Sequence, residues 1–219
     1  MLGFNLRGNA TAAVALAITI TLAGGCSTTR TTIPYVATPV GTTWVGQHTS
    51  SGSFGSGASQ VATRAGERMW EGQRVLTHES AAGAMLMRVA DGFRIGFLGP
   101  DGKPQFVLTP PIGPKYPLTP GKAWTDSTVM TLFPSGSEIP VESEWRVHDF
   151  EDVTVPAGTF RALRFTLVDR MRGSVWNEDT YWLSTELNMI VKATQHRTAT
   201  HPRGAGVRDA VLVERPKAP

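Results

Sequence analysis

The 219-residue chain contains a single cysteine, Cys26, so it cannot form a disulfide within itself. After residue 25 it has no apolar run that approaches the roughly 20 residues of a membrane-spanning helix. It has no long run of Lys or Arg, and its net charge of +3 falls by one when Arg7 is removed. Because a concentrated basic face is the usual mark of nucleic-acid binding, we predict no nucleic-acid partner.

The first 25 residues have the organisation of a secretory signal peptide. Arg7 supplies a positive charge, residues 11–22 form a short apolar run, and small residues then lead to Cys26. These three features are typical of a signal that is removed after export. The segment that follows is rich in Thr, Ser and Pro and has no apolar periodicity, as expected of a flexible linker. The sequence therefore predicts a signal peptide over 1–25, a tether over 26–40 and one β domain over 41–219.

The segment Leu22-Ala23-Gly24-Gly25-Cys26 resembles the lipobox of bacterial lipoproteins, with Ala23 where that family usually has Leu. The resemblance implies cleavage before Cys26, a diacylglycerol on its thiol and an acyl chain on its new amino group. Several acyl chains anchor a protein to a membrane far more firmly than one. Ser27 stands where an Asp would mark retention at the inner membrane, which implies the outer membrane, facing the periplasm. The alternative is an ordinary signal peptide that happens to contain a cysteine.

From Gly41 onward, apolar and polar residues alternate with the period of two that indicates half-buried strands. The odd-numbered residues of 93–98, 141–148 and 163–168 are predicted to face the core. Gly-containing turns separate the runs at hairpin spacing. The sequence thus predicts nine to eleven strands in a mainly β fold. Its single antiparallel sheet is strongly curved, as a half-barrel or barrel, with few or no helices.

Two kinds of segment depart from this pattern. Weak helical patterns occur only at 59–65 and 184–187. Between Leu108 and Trp124 the chain is rich in proline, which lacks a backbone donor, so we predict that this segment is not a central strand. We favour a rigid surface crossover over a functional lid for it.

Residues 118–193 contain the stretches LTPGKAWT, EWRVHDFEDVTVPAGTFRALRFTL and DTYWLSTELNMIVKAT. This pattern resembles uncharacterised envelope proteins of Gram-negative bacteria that carry a domain of unknown function. The resemblance implies a curved antiparallel sheet like that of the periplasmic lipoprotein carriers, whose concave face can hold an acyl chain. It implies no functional residue.

The acidic residues have simple structural explanations. Glu142 and Glu144 lie two apart beside Arg146 and His148. Paired carboxylates suit acid–base chemistry or cation binding, but we favour a solvated strand face with cross-strand charge pairs. A second acidic cluster suits calcium, although we favour a polar loop for it; it comprises Asp149, Glu151 and Asp152.

No catalytic, metal or cofactor motif stands out among the remaining polar residues, so we predict no enzyme, no metal site and no cofactor. The five histidines lack ligand spacing, so a zinc site would need side chains from distant strands. They are His48, His78, His148, His196 and His201. The stretch Ser50–Gly57 matches neither a nucleophile elbow nor a phosphate-binding loop, and we predict a flexible hairpin tip there.

The Met and Trp residues on predicted strands have two interpretations. Met85 and Met87 share one strand face, and Trp145, Trp176 and Trp182 lie on other strands. In a filled barrel they are core, which we favour; in an open half-barrel some line an apolar cavity suited to lipid chains. Three functional classes follow: a module that binds a lipid or other hydrophobic ligand, an assembly lipoprotein that docks an envelope protein, and an envelope hydrolase. We expect the first, held to the membrane through Cys26, with the second as the alternative.

Overall fold

The computed structural model describes residues 32–219, so Cys26 and the predicted signal peptide lie outside the described residues. The described part contains twelve β-strands and no α-helix. The strands are β1 (Thr43–Gly52), β2 (Gly57–Trp70), β3 (Gln73–Ser80), β4 (Gly83–Arg88), β5 (Arg94–Leu98), β6 (Pro104–Ile112), β7 (Ala123–Leu132), β8 (Ser137–Val155), β9 (Gly158–Met171), β10 (Ser174–Ser184), β11 (Ile190–Arg197) and β12 (Gly206–Leu212). Within residues 32–219, no helix has the length and apolar character needed to cross a membrane.

Each strand pairs antiparallel with its neighbours along the chain, and β1 also pairs with β12, which closes the sheet into a barrel. The predicted single antiparallel, curved sheet is therefore confirmed. Tight turns permit this meander; between β9 and β10, Arg172 and Gly173 both have positive φ, 52° and 77°. Two consecutive residues of this kind give the turn whose twist matches that of a hairpin.

The predicted alternation is confirmed on the longest strands. On β8, Val141, Trp145 and Val147 are buried while the residues between them on the opposite face are turned toward solvent. On β9, Leu163 and Leu167 are 0% and 1% exposed. Because successive strand residues point to opposite faces, one face of each strand fills the barrel interior.

We call the two ends of the barrel the near end and the far end. The near end carries the start of β1 and the connections β2–β3, β4–β5, β6–β7, β8–β9 and β10–β11. Both ends of the described chain also lie there, because Thr43 pairs with Lys217 and Ile33 pairs with Leu118. The far end carries the remaining connections, β1–β2, β3–β4, β5–β6, β7–β8, β9–β10 and β11–β12.

Both predicted helical segments are wrong. Residues 59–65 belong to β2, and residues 184–187 form the end of β10 and the turn that follows it. The small and polar residues of 59–65 have little intrinsic preference for helix or strand. Pairing with β1 makes this segment a strand.

The prediction for the proline-rich segment is wrong for its first residues, because Pro110 and Pro111 lie within β6. The ladder between β6 and β7 ends at Thr109, so neither proline withholds a donor from it. The Pro110 carbonyl instead accepts a hydrogen bond from the Thr128 hydroxyl at 2.7 Å. Residues 113–122 form the predicted loop at the near end.

The predicted burial of one face of β5 is also wrong. Gly96 and Leu98 are buried, although both were expected on the wet face. Register shifts occur on both sides of β5, between Leu86 and Met87 in its pairing with β4 and between Arg94 and Gly96 in its pairing with β6. A bulge of this kind moves the following residues to the other face. Leu98 thus joins a buried cluster, whose other members are Val75, Ala84 and Leu86.

Candidate functional site

An apolar cavity of about 360 Å³ lies inside the barrel and opens at the near end. Its walls come from strands around the circumference, since barrel closure turns one face of every strand inward. Met85 and Met87 of β4 form one wall. Trp145, Phe165 and Tyr181 from β8, β9 and β10 form another. The cavity is thus lined by flexible thioethers on one side and flat aromatic rings on the other.

The aromatic wall belongs to a continuous row of rings on four neighbouring strands, which Trp124 of β7 extends beyond the residues that line the cavity. The rings of Trp124 and Trp145 stack with centroids 5.6 Å apart and an interplanar angle of 10°. Trp145 and Phe165 follow at 6.1 Å, and Phe165 and Tyr181 at 5.1 Å. Aromatic pairs at about 4.5–7 Å attract each other beyond their burial, so the row forms a rigid surface.

Part of the predicted tether packs across the near end. We call residues 33–40 the strap. Ile33 is 4% exposed and exchanges two backbone hydrogen bonds with Leu118, at 2.9 and 2.8 Å. The Tyr35 ring packs on Tyr116, with centroids 5.4 Å apart. It also fills the space where a side chain at Gly92 would stand, because an added Cβ would lie 2.6 Å from Cε2 of Tyr35.

The strap forms part of the cavity itself. Tyr35, Val36 and Thr38 line it. The Asn188 amide, from the β10–β11 turn, donates a hydrogen bond to the Val36 carbonyl at 3.1 Å. The sequence contained a weak signal for this packing, because Ile33 and Tyr35 are large apolar residues two apart, at strand spacing, within an otherwise small and polar segment.

Burial shifts the pKa of two polar groups in the cavity wall. Desolvation lowers the pKa of His78 to about 4, and its ring packs edge-on against Trp44 at 4.9 Å. Burial likewise raises the pKa of Tyr116 to about 12, helped by Tyr35. Both groups are therefore uncharged near pH 7, so neither adds a charge to the cavity wall. Arg94 is the cationic side chain among the cavity-lining residues.

A polar pair lies immediately beside the cavity. The Tyr181 hydroxyl donates a hydrogen bond to Oδ2 of Asp179 at 2.8 Å. Desolvation raises the pKa of Asp179 to about 6, although the Tyr181 hydrogen bond opposes the shift. On the neighbouring strands β8 and β9, Ser143 donates to Oδ1 of Asp169 at 2.6 Å. Within residues 32–219, no three His, Cys, Asp or Glu side chains lie close enough to hold a metal ion.

The structure does not bring the predicted acidic groups into this site. Glu142 and Glu144 face solvent on the outer side of β8, as expected of a solvated strand face. Glu144 lies 3.8 Å from Arg146 and 4.0 Å from Arg170, and exposed charge pairs of this kind have small energetic value. The predicted polar loop at 149–152 is wrong, because these residues belong to β8.

The histidines are dispersed around the barrel. His78 lies in the cavity wall, whereas His148 contacts the Thr166 hydroxyl at 3.1 Å. The others do not join them: His196 lies 3.2 Å from Glu178, His201 packs on Trp176, and His48 is half-buried on β1. The five side chains therefore do not form one cluster.

The glycine- and serine-rich stretch Ser50–Gly57 covers the end of β1 and the β1–β2 turn at the far end, where a hairpin tip was predicted. Two guanidinium groups lie over the ring of Phe54 in this turn, that of Arg197 at 3.8 Å and that of Arg208 at 4.4 Å. Cation–π contacts of this kind hold the turn against β11 and β12.

The favoured core interpretation of the Met and Trp residues is only partly correct. Met85, Met87 and Trp145 line the cavity. Trp176 packs beside the buried cluster on β8 and β9 at the far end. Trp182 lies under the Lys192 ammonium at 4.6 Å. Three of the five therefore contribute to the candidate site, and the sequence could not separate them because core and cavity wall use the same residue types.

No family model matches this chain, and no curated protein matches it. Solved structures do resemble it. One is a protein from Parabacteroides distasonis described as a lipoprotein, at 11% identity over 82% of this chain and 96% of that chain, with a TM-score of 0.44. Another is a protein from Bacteroides fragilis described as exported, with a YmcC-like fold, at 13% identity over 86% and 100%, TM-score 0.46. A third is the hypothetical lipoprotein YmcC from Escherichia coli, at 11% identity over 83% and 86%, TM-score 0.46.

Two of these bacterial proteins are thus described as lipoproteins and one as an exported protein. At such identities and TM-scores the similarity carries no argument about ligand or partner. The cavity and its walls are the observations from which function can be inferred.

Proposed function

We propose that this chain is a membrane-anchored lipoprotein of the cell envelope whose barrel binds a lipid or another hydrophobic ligand without catalysing a reaction. The observation that supports it is the cavity of about 360 Å³ with its Met and aromatic walls. Binding sites for small molecules are usually preformed, mostly apolar cavities with a few polar groups that orient the ligand. This cavity has that composition, with Arg94 and His78 among its polar groups.

The cavity volume favours a ligand with one chain. Small-molecule sites commonly span about 300–1,000 Å³, so this one, at about 360 Å³, is near the lower limit. The flexible side chains of Met85 and Met87 can adapt to a chain of variable length, whereas the aromatic row offers a flat and rigid surface. A single acyl or similarly narrow apolar group is therefore the best-fitting ligand class.

The proposed location rests on the sequence. Cleavage after residue 25 would make Cys26 the N-terminal, acylated residue, and Ser27 favours the outer membrane, facing the periplasm. In this proposal the strap begins the packed domain.

Native mass spectrometry with lipid extraction tests the proposal. The protein is secreted into a bacterial periplasm with residues 1–26 replaced by a conventional cleaved signal, which retains every described residue. We expect a co-purifying apolar molecule at close to one per chain. Met87→Trp should displace it by filling the cavity, because Met87 is part of the wall.

Phe133→Trp is the matched control, since Phe133 is 40% exposed at the far end and should leave ligand occupancy unchanged. A ligand-free wild-type mass that does not increase after addition of fatty acids or phospholipids would contradict the proposal. That result would favour the alternative, an assembly lipoprotein that docks an envelope protein.

A further inference from the structure

The exposed large apolar side chains of the barrel are concentrated at its near end. Five such residues are found in the described part of the chain. Four belong to the near end: Val36 is 55% exposed, Val40 45%, Met69 66% and Ile190 37%. The fifth, Phe133 in the β7–β8 turn, lies at the far end. Scattered single apolar residues are ordinary on a protein surface, but four at one end of a barrel call for an explanation.

Two of these four residues border the mouth of the cavity, and the other two lie elsewhere at the near end. Val36 and Ile190 line the cavity as well as being exposed, so they form its rim. Val40 is at the end of the strap, next to the turn in which the Thr42 amide donates to the Pro39 carbonyl at 3.1 Å. Met69 lies near the tip of the β2–β3 hairpin. The pairing of β2 with β1 ends at Arg64, which lies opposite Thr43, and Met69 follows five residues later. The hairpin therefore projects past the rim with Met69 near its tip.

The chain leaves the barrel at this same end. Ile33 is fixed to Leu118, and Cys26 precedes Ile33 by seven residues. Seven residues span at most about 25 Å when fully extended. An acylated Cys26, which is part of the proposed function, would therefore hold the near end within about 25 Å of the bilayer surface.

We propose that the near end is a membrane-contact face, with Met69, Val36 and Ile190 inserted into the headgroup region of the bilayer that holds the lipid anchor. The free energy falls when apolar side chains move from water to the boundary between headgroups and acyl chains. The short tether keeps them at this boundary, and the cavity then opens toward the lipid rather than toward the aqueous periplasm. An apolar ligand would pass between bilayer and barrel without crossing water. The inference rests on the proposed lipid anchor.

Site-specific fluorescence in vesicles tests the proposal with a matched pair of variants. Full-length protein carrying Met69→Cys or Phe133→Cys is isolated from bacterial membranes and labelled with the environment-sensitive fluorophore NBD. Both positions are exposed and apolar, and they lie at opposite ends of the barrel. The parent chain is labelled in parallel to measure any reaction at Cys26. The proteins are placed in vesicles of phosphatidylethanolamine and phosphatidylglycerol, with and without nitroxide-labelled headgroups.

We expect a blue shift and a loss of fluorescence with the nitroxide lipids at the Met69 label, and neither change at the Phe133 label. Equal quenching at both positions, or no quenching at Met69, would overturn the proposal. Native mass spectrometry of the same preparations separates it from the ligand hypothesis. A ligand in the cavity without quenching at Met69 overturns the membrane-contact face alone, whereas quenching at Met69 with an empty cavity overturns the ligand function alone.

Discussion

Replacing Asp179 with asparagine should stabilise the folded protein at neutral pH. The Asp179 side chain is 8% exposed, and its carboxylate accepts a hydrogen bond from the Tyr181 hydroxyl at 2.8 Å. Desolvation is the largest influence on this carboxyl and raises its pKa from 3.8 to about 6, despite the opposing effects of the Tyr181 hydrogen bond and Arg94. An asparagine side chain at this position would retain a carbonyl oxygen for the tyrosine and would bring no charge into the barrel interior.

The magnitude follows from proton linkage. Because the folded-state pKa exceeds the unfolded one, the folded state binds more protons between pH 3.8 and about 6. The free energy of unfolding of the wild-type protein therefore loses the contribution of Asp179 as the pH rises through that window. At about 1.4 kcal/mol per pH unit the loss is about 3 kcal/mol, a large share of the roughly 5–15 kcal/mol typical of a domain.

Urea unfolding of the soluble chain at several pH values measures this effect. Asp179→Asn should raise the free energy of unfolding by about 3 kcal/mol at pH 7 and leave it nearly unchanged below the ordinary carboxyl pKa of 3.8. Glu138→Gln removes an exposed acid from β8 and should change stability by no more than about 0.5 kcal/mol. A stability gain for Asp179→Asn that is the same at all pH values would refute the reasoning, because a buried-charge penalty must vanish once the carboxyl is protonated.

Three further predictions concern other buried groups and the anchor. Burial holds the pKa of His78 at about 4 instead of 6.5, so the contribution of His78 to stability is complete above pH 6.5 and falls by roughly 3 kcal/mol as the pH drops toward 4; the stability of His78→Phe relative to the wild-type protein should therefore rise by that amount across this window in the same urea experiments. Phe160 is 1% exposed, so Phe160→Ala should lower the free energy of unfolding by about 3–5 kcal/mol, whereas Phe133→Ala at the exposed far-end turn should have little effect. Cys26→Ser should abolish incorporation of labelled palmitate and move the protein out of the membrane fraction; retention of the label would show that acylation occurs elsewhere.

The alternation of apolar and polar residues on β8 and β9 predicted the strands and the buried face of the antiparallel sheet there. Those strands are long, and residues 141–147 and 163–167 keep one face buried along their length. Closure of the sheet could not be predicted in the same way. It depends on pairing of β1 with β12, for example Gly52 opposite Gly206, and residues so distant in the chain leave no local signal. The errors in β5 arise from register shifts, which change the buried face within one strand.

The candidate site was less accessible to sequence analysis than the fold. Met85, Met87 and Trp145 were correctly placed on strands, but packing density decides whether such residues fill a core or border a cavity. The strap was assigned to the tether because its composition is that of a linker. Its order comes from partners far along the chain, which the local composition cannot reveal; they are Leu118, Tyr116 and Asn188.

The strap follows the proposed anchor in the chain and lines the cavity. The strap holds Val36 at the rim of the cavity and Tyr35 against Gly92. A barrel tethered through a long free linker would rotate, and its cavity would face the bilayer only part of the time. Here two hydrogen bonds to Leu118 fix the backbone to the near end from Ile33 onward, so the proposed anchor at Cys26 would keep this end of the barrel, rather than the far end, close to the membrane. Because the cavity mouth lies beside the strap and not at the far end, the proposed anchor would hold the opening toward the membrane from which the proposed ligand would come.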